Sequence, residues 1–225
     1  MGGEVSAMGQ SLELLREVPS GYVTDIFVRL DLRGWIRGLR VTRSLEEKHV
    51  AGPAVTVEYA PIRGRRTSKW NLYEILRGVA PGSIVVLAGT SPRGVTVGAN
   101  VSTAASVAGV QALMLDGCLR DLQDIRNLGL PVFYRKVTIT RDPTYEIVAL
   151  NQPVTFAGAR VHADDIVVAD EDGGAVIPPQ YLESVIENVR DVARLEEEQA
   201  ELIRGEGALE RLKKVLIAKK APPSE

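Results

Sequence analysis

The stretch Leu113-Met114-Leu115-Asp116-Gly117-Cys118-Leu119-Arg120-Asp121 holds the residue types and spacing best suited to chemistry in this chain. It reads as an apolar strand, a glycine turn and an adjacent Arg–Asp pair, followed by a helical pattern from Leu122. Ligands of α/β sheets bind beyond the carboxyl ends of the strands, and this order delivers a guanidinium and a carboxylate to such a place. Asp121 can hold a hard metal ion there, and Arg120 can fork onto a carboxylate or enolate oxygen. A second turn, Val97-Gly98-Ala99-Asn100-Val101, opens the helical segment leading into this strand, and its backbone N–H groups can face the same spot.

Structural roles compete for the same residues. Asp121 at a helix start, with Asp124 three residues on, is also a pattern for an N-cap. Arg120 alone fits a surface ion pair, and Gly98 fits a backbone turn. Asp116-Gly117 reads as a turn and Cys118 as a small packing residue. Asp170-Glu171-Asp172-Gly173 resembles a metal loop but fits a hairpin turn better. Glu196-Glu197-Glu198 and the Lys213-Lys214 and Lys219-Lys220 pairs fit solvated helix faces, and Arg63, Arg65 and Arg66 form a basic loop able to steer an anion.

Bulk properties remove several classes of function. The chain has 225 residues, enough for one large domain or one domain with appendages. A net charge of -2 gives no electrostatic case for nucleic-acid binding. The single cysteine rules out an internal disulfide and fits a reducing compartment. No apolar run is long enough for a membrane span, and Met1-Gly2-Gly3-Glu4 lacks the start of a signal peptide, so the expected location is the cytoplasm. With only His49 and His162, a histidine-rich metal site or a Ser-His-Asp triad is not expected. Oxygen ligands then favour magnesium, with manganese as the other candidate.

The elements that must position Arg120 and Asp121 follow from hydrophobic periodicity. Helical patterns are expected at Ser11–Glu17, Tyr22–Leu32, Trp70–Val79, Thr96–Ala108, Asp121–Leu128, Gln180–Arg204 and Ala208–Lys220. Strands are expected at Val50–Tyr59, Ser83–Ala88, Val110–Leu115 and Pro131–Val137. From Ser83 to Val137, strand and helix alternate as in the βαβ units of a parallel sheet. Tyr145–Ile177 reads as a β-rich hairpin region broken at Asn151-Gln152-Pro153, Gly158 and Asp172-Gly173-Gly174. Leu182, Val185, Val189 and Val192 stripe the long helix, which Gly205 and Gly207 end. The expected organisation is one main domain over 1–205, then a basic C-terminal helix and loose tail over 206–225.

In order and spacing, several stretches together resemble the RraA-like family, which includes the 4-hydroxy-4-methyl-2-oxoglutarate aldolases and the regulator of ribonuclease E activity. They are Val50-Ala51-Gly52-Pro53-Ala54-Val55-Thr56-Val57, Pro81-Gly82-Ser83-Ile84-Val85-Val86 and Asp116-Gly117-Cys118-Leu119-Arg120-Asp121. Leu130-Pro131-Val132-Phe133, Asn151-Gln152-Pro153-Val154 and Asp165-Ile166-Val167-Val168-Ala169-Asp170-Glu171-Asp172-Gly173 follow. The similarity spans roughly residues 20–205. It implies an α/β fold, a β/β/α swivelling-domain-like sandwich with a βαβ core, a β-rich C-terminal half and a long C-terminal helix. It also implies assembly as a homotrimer or hexamer.

For the site, the resemblance implies Asp121 as ligand of a divalent metal and Arg120 as contact to a pyruvyl group. The amides around Gly98, Ala99, Asn100 and Val101 would hold a substrate carboxylate. The aldolases carry an acidic residue after that glycine, which helps order a water on the metal. This chain has Ala99 there, as the regulator-type members also tend to lack the acid. A carboxylate from a neighbouring subunit's C-terminal helix serves the family site, and Glu196, Glu197 and Glu198 are the candidates. The expected function is a divalent-metal-dependent lyase acting on a small 2-oxo acid through a pyruvate enolate, of the oxaloacetate decarboxylase or 4-hydroxy-2-oxo acid aldolase type. The alternative is a non-catalytic protein-binding regulator.

Overall fold

The computed structural model describes residues 7–43, 45, 49–66, 68–205 and 209–221. Gly207 and the Pro222-Pro223 tail lie outside them.

The spine is the 12-residue strand Val50–Pro61. Its second half starts a parallel run, with Ala54 opposite Ile84, Val85 opposite Leu113, and Leu113 opposite Val132. The strands of that run are Val50–Pro61, Ile84–Ala88, Ala112–Leu115 and Val132–Tyr134. On the other side, its first half pairs antiparallel with Ile166–Ala169, itself in a hairpin with Gly174–Ile177. Tyr145–Leu150 pairs antiparallel with the far end of the spine, Val57 to Pro61. Trp35–Ile36 and Arg40–Val41 close the two edges.

Alternation along the parallel strands feeds two cores, as the period of two in a strand requires. Val85, Leu87, Leu113, Leu115 and Val132 pack under Ile75 and Leu76 of helix Leu72–Arg77, Ala105 of helix Ala99–Val107 and Ile125 of helix Leu122–Leu128. Ile84, Val86, Ala88, Met114 and Phe133 face the opposite way, under the small hairpin Val154–Phe156 and Ala159–Val161. Helices, main sheet and hairpin therefore form the expected β/β/α layering. A third core joins Ile166, Val168, Ala175 and Ile177 to helices Ala7–Glu17 and Ser20–Arg29 and to the striped face of Leu182–Arg204. The long helix starts at Leu182 because Pro179–Tyr181 forms a separate 3₁₀ turn. The last helix, Leu209–Lys220, packs along it and along Ser20–Arg29.

Two expectations need correction. The segments Thr96–Ala108 and Pro131–Val137 are each split by a short parallel three-stranded sheet made of Val95–Val97, Cys118–Leu119 and Lys136–Val137. Helix formation is delayed to Ala99 because Val95–Val97 pairs with Cys118–Leu119. The strand from Pro131 breaks at Arg135, whose guanidinium turns onto Asp116. No helix among the described residues is long and apolar enough to cross a membrane.

Candidate functional site

The small sheet positions the Arg–Asp pair. Cys118–Leu119 lies between Val95–Val97 and Lys136–Val137, with the Arg120 N–H donating to Val97 O at 3.0 Å and the Thr138 N–H to Leu119 O at 3.0 Å. The chain leaves this sheet twice into helices, at Gly98 and at Asp121, so two helix N-termini lie side by side.

Asp121 occupies the N-cap position of helix Leu122–Leu128 but does not cap it. Its backbone is left-handed, with φ 60° and ψ 39°, and its side chain makes no bond to its own helix. Aspartate bears that conformation at lower cost than most residues. The result is that the carboxylate swings to the neighbouring helix, where Oδ2 accepts the Ala99 N–H at 3.0 Å. Arg120 Nε lies 3.4 Å from the same oxygen. The capping pattern with Asp124 is thus corrected in its partner: Asp121 caps Ala99–Val107.

Gly98 is fixed by close approach. Its φ of −138° and ψ of −172° are ordinary extended backbone, but a Cβ there would come within 2.8 Å of Asp121 Oδ2 and 3.3 Å of Arg120 Cγ and Nε. The Ser102 N–H donates to Gly98 O, and Asp121 takes the Ala99 N–H. Helix geometry gives Asn100 and Val101 N–H no acceptor within their own helix, which leaves them for a ligand.

Gly98, Ala99, Asn100, Val101, Arg120 and Asp121 all line one pocket of about 270 Å³. Arg120 and Asp121 keep 45% and 36% of their side-chain surface exposed, enough to meet a ligand. Tyr73 and Arg141 share the wall. Neither stands out in the sequence, because a helix and a loop distant along the chain bring Tyr73 and Arg141 there.

Other candidates fall elsewhere. Burial pushes the Cys118 thiol up, with Lys136 opposing, and its Sγ contacts Pro92 O at 3.5 Å; this suits a packing residue. Asp170 is buried and accepts from Ser20 N–H, Ser20 Oγ and Asp172 N–H, so the acidic loop is a braced hairpin turn. Glu196 pairs with Lys219, and Glu198 lies near Arg194 and Arg211; within one chain none of the three glutamates lines the pocket. Arg66 donates to Pro143 O at 2.9 Å.

The donor set bears on a metal. No group of three or more His, Cys, Asp or Glu gathers among the described residues, so an all-protein cage is not what this pocket offers. Asp121 offers a single part-exposed carboxylate beside an open pocket, with both of its contacts on Oδ2. That fits a hydrated hard cation such as magnesium, which keeps several waters and takes one or two carboxylates plus substrate oxygens.

Comparisons with known proteins agree with the fold. A protein of Halalkalibacterium halodurans, provisionally named a 4-hydroxy-4-methyl-2-oxoglutarate aldolase, is 29% identical over 178 residues, 78% of this chain and 80% of that protein. The crystal structure of RraAS2 from Streptomyces coelicolor, described as an unusual member of the RNase ES inhibitor RraA protein family, superposes with a TM-score of 0.74 at 25% identity, covering 85% of this chain and 96% of that one. An uncharacterized protein from Pseudomonas syringae shares the fold at a TM-score of 0.80 and 22% identity, over 95% of this chain and 98% of its own. The family described as RraA-like, Aldolase/RraA, matches residues 23–176, and the chain belongs to that family.

Proposed function

We propose that this pocket is the active site of a divalent-metal-dependent carbon–carbon lyase for small 2-oxo acids. The reaction is decarboxylation of oxaloacetate or aldol cleavage of a 4-hydroxy-2-oxo acid. The observation that carries this reading is the convergence on one pocket of Arg120, Asp121 and the Asn100 and Val101 amides, with Gly98 kept bare against the ion pair. The aldolase name of the Halalkalibacterium relative supports it.

Asp121 is the residue that would hold the ion. A bound magnesium or manganese supplies Lewis-acid stabilisation to negative charge developing on the 2-oxo oxygen. Arg120 adds fixed positive charge at the same oxygen. The Asn100 and Val101 N–H groups, at the positive end of their helix, take the C1 carboxylate. In decarboxylation the C3–C4 bond breaks, carbon dioxide leaves, and the electron pair passes into the enolate of pyruvate, which then takes a proton at C3. In aldol cleavage the same bond breaks after the C4 hydroxyl loses its proton, so a carbonyl product leaves. The described pocket lining contains no lysine, so a Schiff base has no donor there.

Ala99 favours a second reading, a non-catalytic regulator that binds another protein, and the likeness to RraAS2 points the same way. Assays of the purified protein with oxaloacetate and a 4-hydroxy-2-oxo acid, with magnesium and with a chelator, separate the two. The enzyme reading expects turnover that chelation removes and magnesium restores. No turnover of either substrate with magnesium or manganese would leave the regulator.

A further inference from the structure

Arg141 shares the pocket with Arg120 and Asp121 but differs from Arg120 in its company. Arg120 lies 3.4 Å from a carboxylate, whereas the Arg141 guanidinium makes no ion pair or hydrogen bond among the described residues. In the lining, two guanidiniums therefore face one carboxylate, and the unmatched charge is on the wall contributed by Arg141.

The backbone that presents Arg141 is held on both sides. Thr140 O accepts the Val95 N–H at 2.9 Å, and Val95 begins the strand that leads to Gly98. Asp142 Oδ2 accepts from Ser91 Oγ at 2.6 Å and Oδ1 from the Thr144 N–H at 3.0 Å. A Cβ on Gly94 would come within 2.1 Å of the Asp142 side chain, so the two loops touch. Arg66 holds Pro143 O from the far side. The Asp142 carboxylate is thus occupied by Ser91 and Thr144, while its neighbour Arg141 keeps its charge for the pocket.

We propose that Arg141 is a specificity-determining residue of this pocket, its guanidinium receiving the remote carboxylate of a dicarboxylic 2-oxo acid such as oxaloacetate. This rests on the reading of the pocket as a 2-oxo acid site. The C1 carboxylate and 2-oxo oxygen fall to the Asn100 and Val101 amides, Arg120 and the Asp121 end. A guanidinium on a different wall then suits the remote carboxylate, which it can take as a two-pronged hydrogen-bonded pair.

The test uses two unreactive ligands with the same head, pyruvate and 2-oxoglutarate, bound at equilibrium to the full chain in magnesium. Wild type should bind 2-oxoglutarate more tightly. Arg141→Gln should weaken 2-oxoglutarate about tenfold and leave pyruvate unchanged, while Arg141→Lys keeps part of the preference. Arg120→Gln should weaken both. Unchanged pyruvate binding shows that the variant is folded. Equal loss of both ligands in Arg141→Gln, or loss of neither, overturns the role of Arg141 and leaves the 2-oxo acid site standing. If wild type binds neither ligand, the reading of the pocket falls and the role of Arg141 with it.

Discussion

Asp121 Oδ2 accepts the backbone N–H of Ala99 at 3.0 Å, so the carboxylate that begins one helix caps the preceding one beside it. The bond and the charge of Asp121 can be separated. Asp121→Asn keeps an oxygen able to accept the Ala99 N–H but loses the negative charge, and should retain the fold while metal-dependent turnover falls at least 100-fold. Asp121→Ala should lose turnover as well, and about 1 kcal/mol of stability with the cap. Magnesium titrations of the rate, alongside thermal melts, check both. An Asp121→Ala variant with the wild-type rate and magnesium dependence would remove Asp121 as the metal ligand.

Gly98→Ala tests the spacing of the ion pair. The backbone there suits any residue, so strain in φ is not at issue. The methyl would lie 2.8 Å from Asp121 Oδ2 and must push the carboxylate off Ala99. Turnover should drop at least tenfold, with a stability loss of about 1 kcal/mol. A variant as active as wild type would mean that the close approach has no bearing on the chemistry.

The C-terminal helix is latched by a buried guanidinium, which gives a pH prediction. Arg29 donates to Lys219 O at 2.7 Å and Ala218 O at 3.0 Å, and also to Asn188 Oδ1 and Asp191 Oδ2. Hydrogen bonds from Arg29, then Arg194, hold the Asp191 carboxyl below its usual value of 3.8. A depressed folded-state value means that the unfolded chain binds the proton more tightly. The stabilisation is therefore present above about pH 4 and is lost as pH falls through the folded value. Arg29→Met should flatten that part of the acid unfolding curve and lower stability by about 2–3 kcal/mol, because helix-end carbonyls lose their donor. Melting curves from pH 2.5 to 7 measure this; an acid limb of equal slope in both proteins would count against the latch.

Much of the fold was legible because long apolar periods are hard to misread. The order of the βαβ run, the hairpin region and the striped helix follows the periodicity, apart from the two segments that the small sheet splits. The three-stranded sheet was not legible, since strands of two or three residues are too short to show a period. That sheet determines where the pocket sits. The Gly98–Val101 turn and the Arg120–Asp121 pair read as separate motifs in the sequence, and the fold places both on the lining of one pocket. Arg141 escaped notice because its value comes from its place on the pocket wall without a partner among the described residues, which only packing reveals.

Large apolar side chains remain in water in the single chain, among them Ile139 at 88% and Val107 at 84% exposure. Together with the assembly that the family resemblance implies, they lead us to expect a trimer or hexamer. Light scattering at micromolar concentration should give about three or six times the 24.4 kDa chain mass. A mass of one chain would refute this.

Ala99 bears on which of the two lyase reactions the site performs. It is the first residue of its helix, and its N–H already serves Asp121. An acidic side chain there stands at the positive end of a helix, so Ala99→Asp should fold. Aldol cleavage must remove the C4 hydroxyl proton, and a positioned acid–base group is worth roughly 100- to 10,000-fold. Decarboxylation of oxaloacetate has no such proton to remove. Wild type should therefore favour decarboxylation, and Ala99→Asp should raise the aldolase rate relative to the decarboxylase rate at saturating magnesium. The added carboxylate also lies next in sequence to Gly98, near Asp121, so tighter magnesium binding should accompany the change. If wild type already cleaves a 4-hydroxy-2-oxo acid at on the order of tens per second, position 99 is not what limits the chemistry. An unchanged rate ratio in Ala99→Asp would lead to the same conclusion.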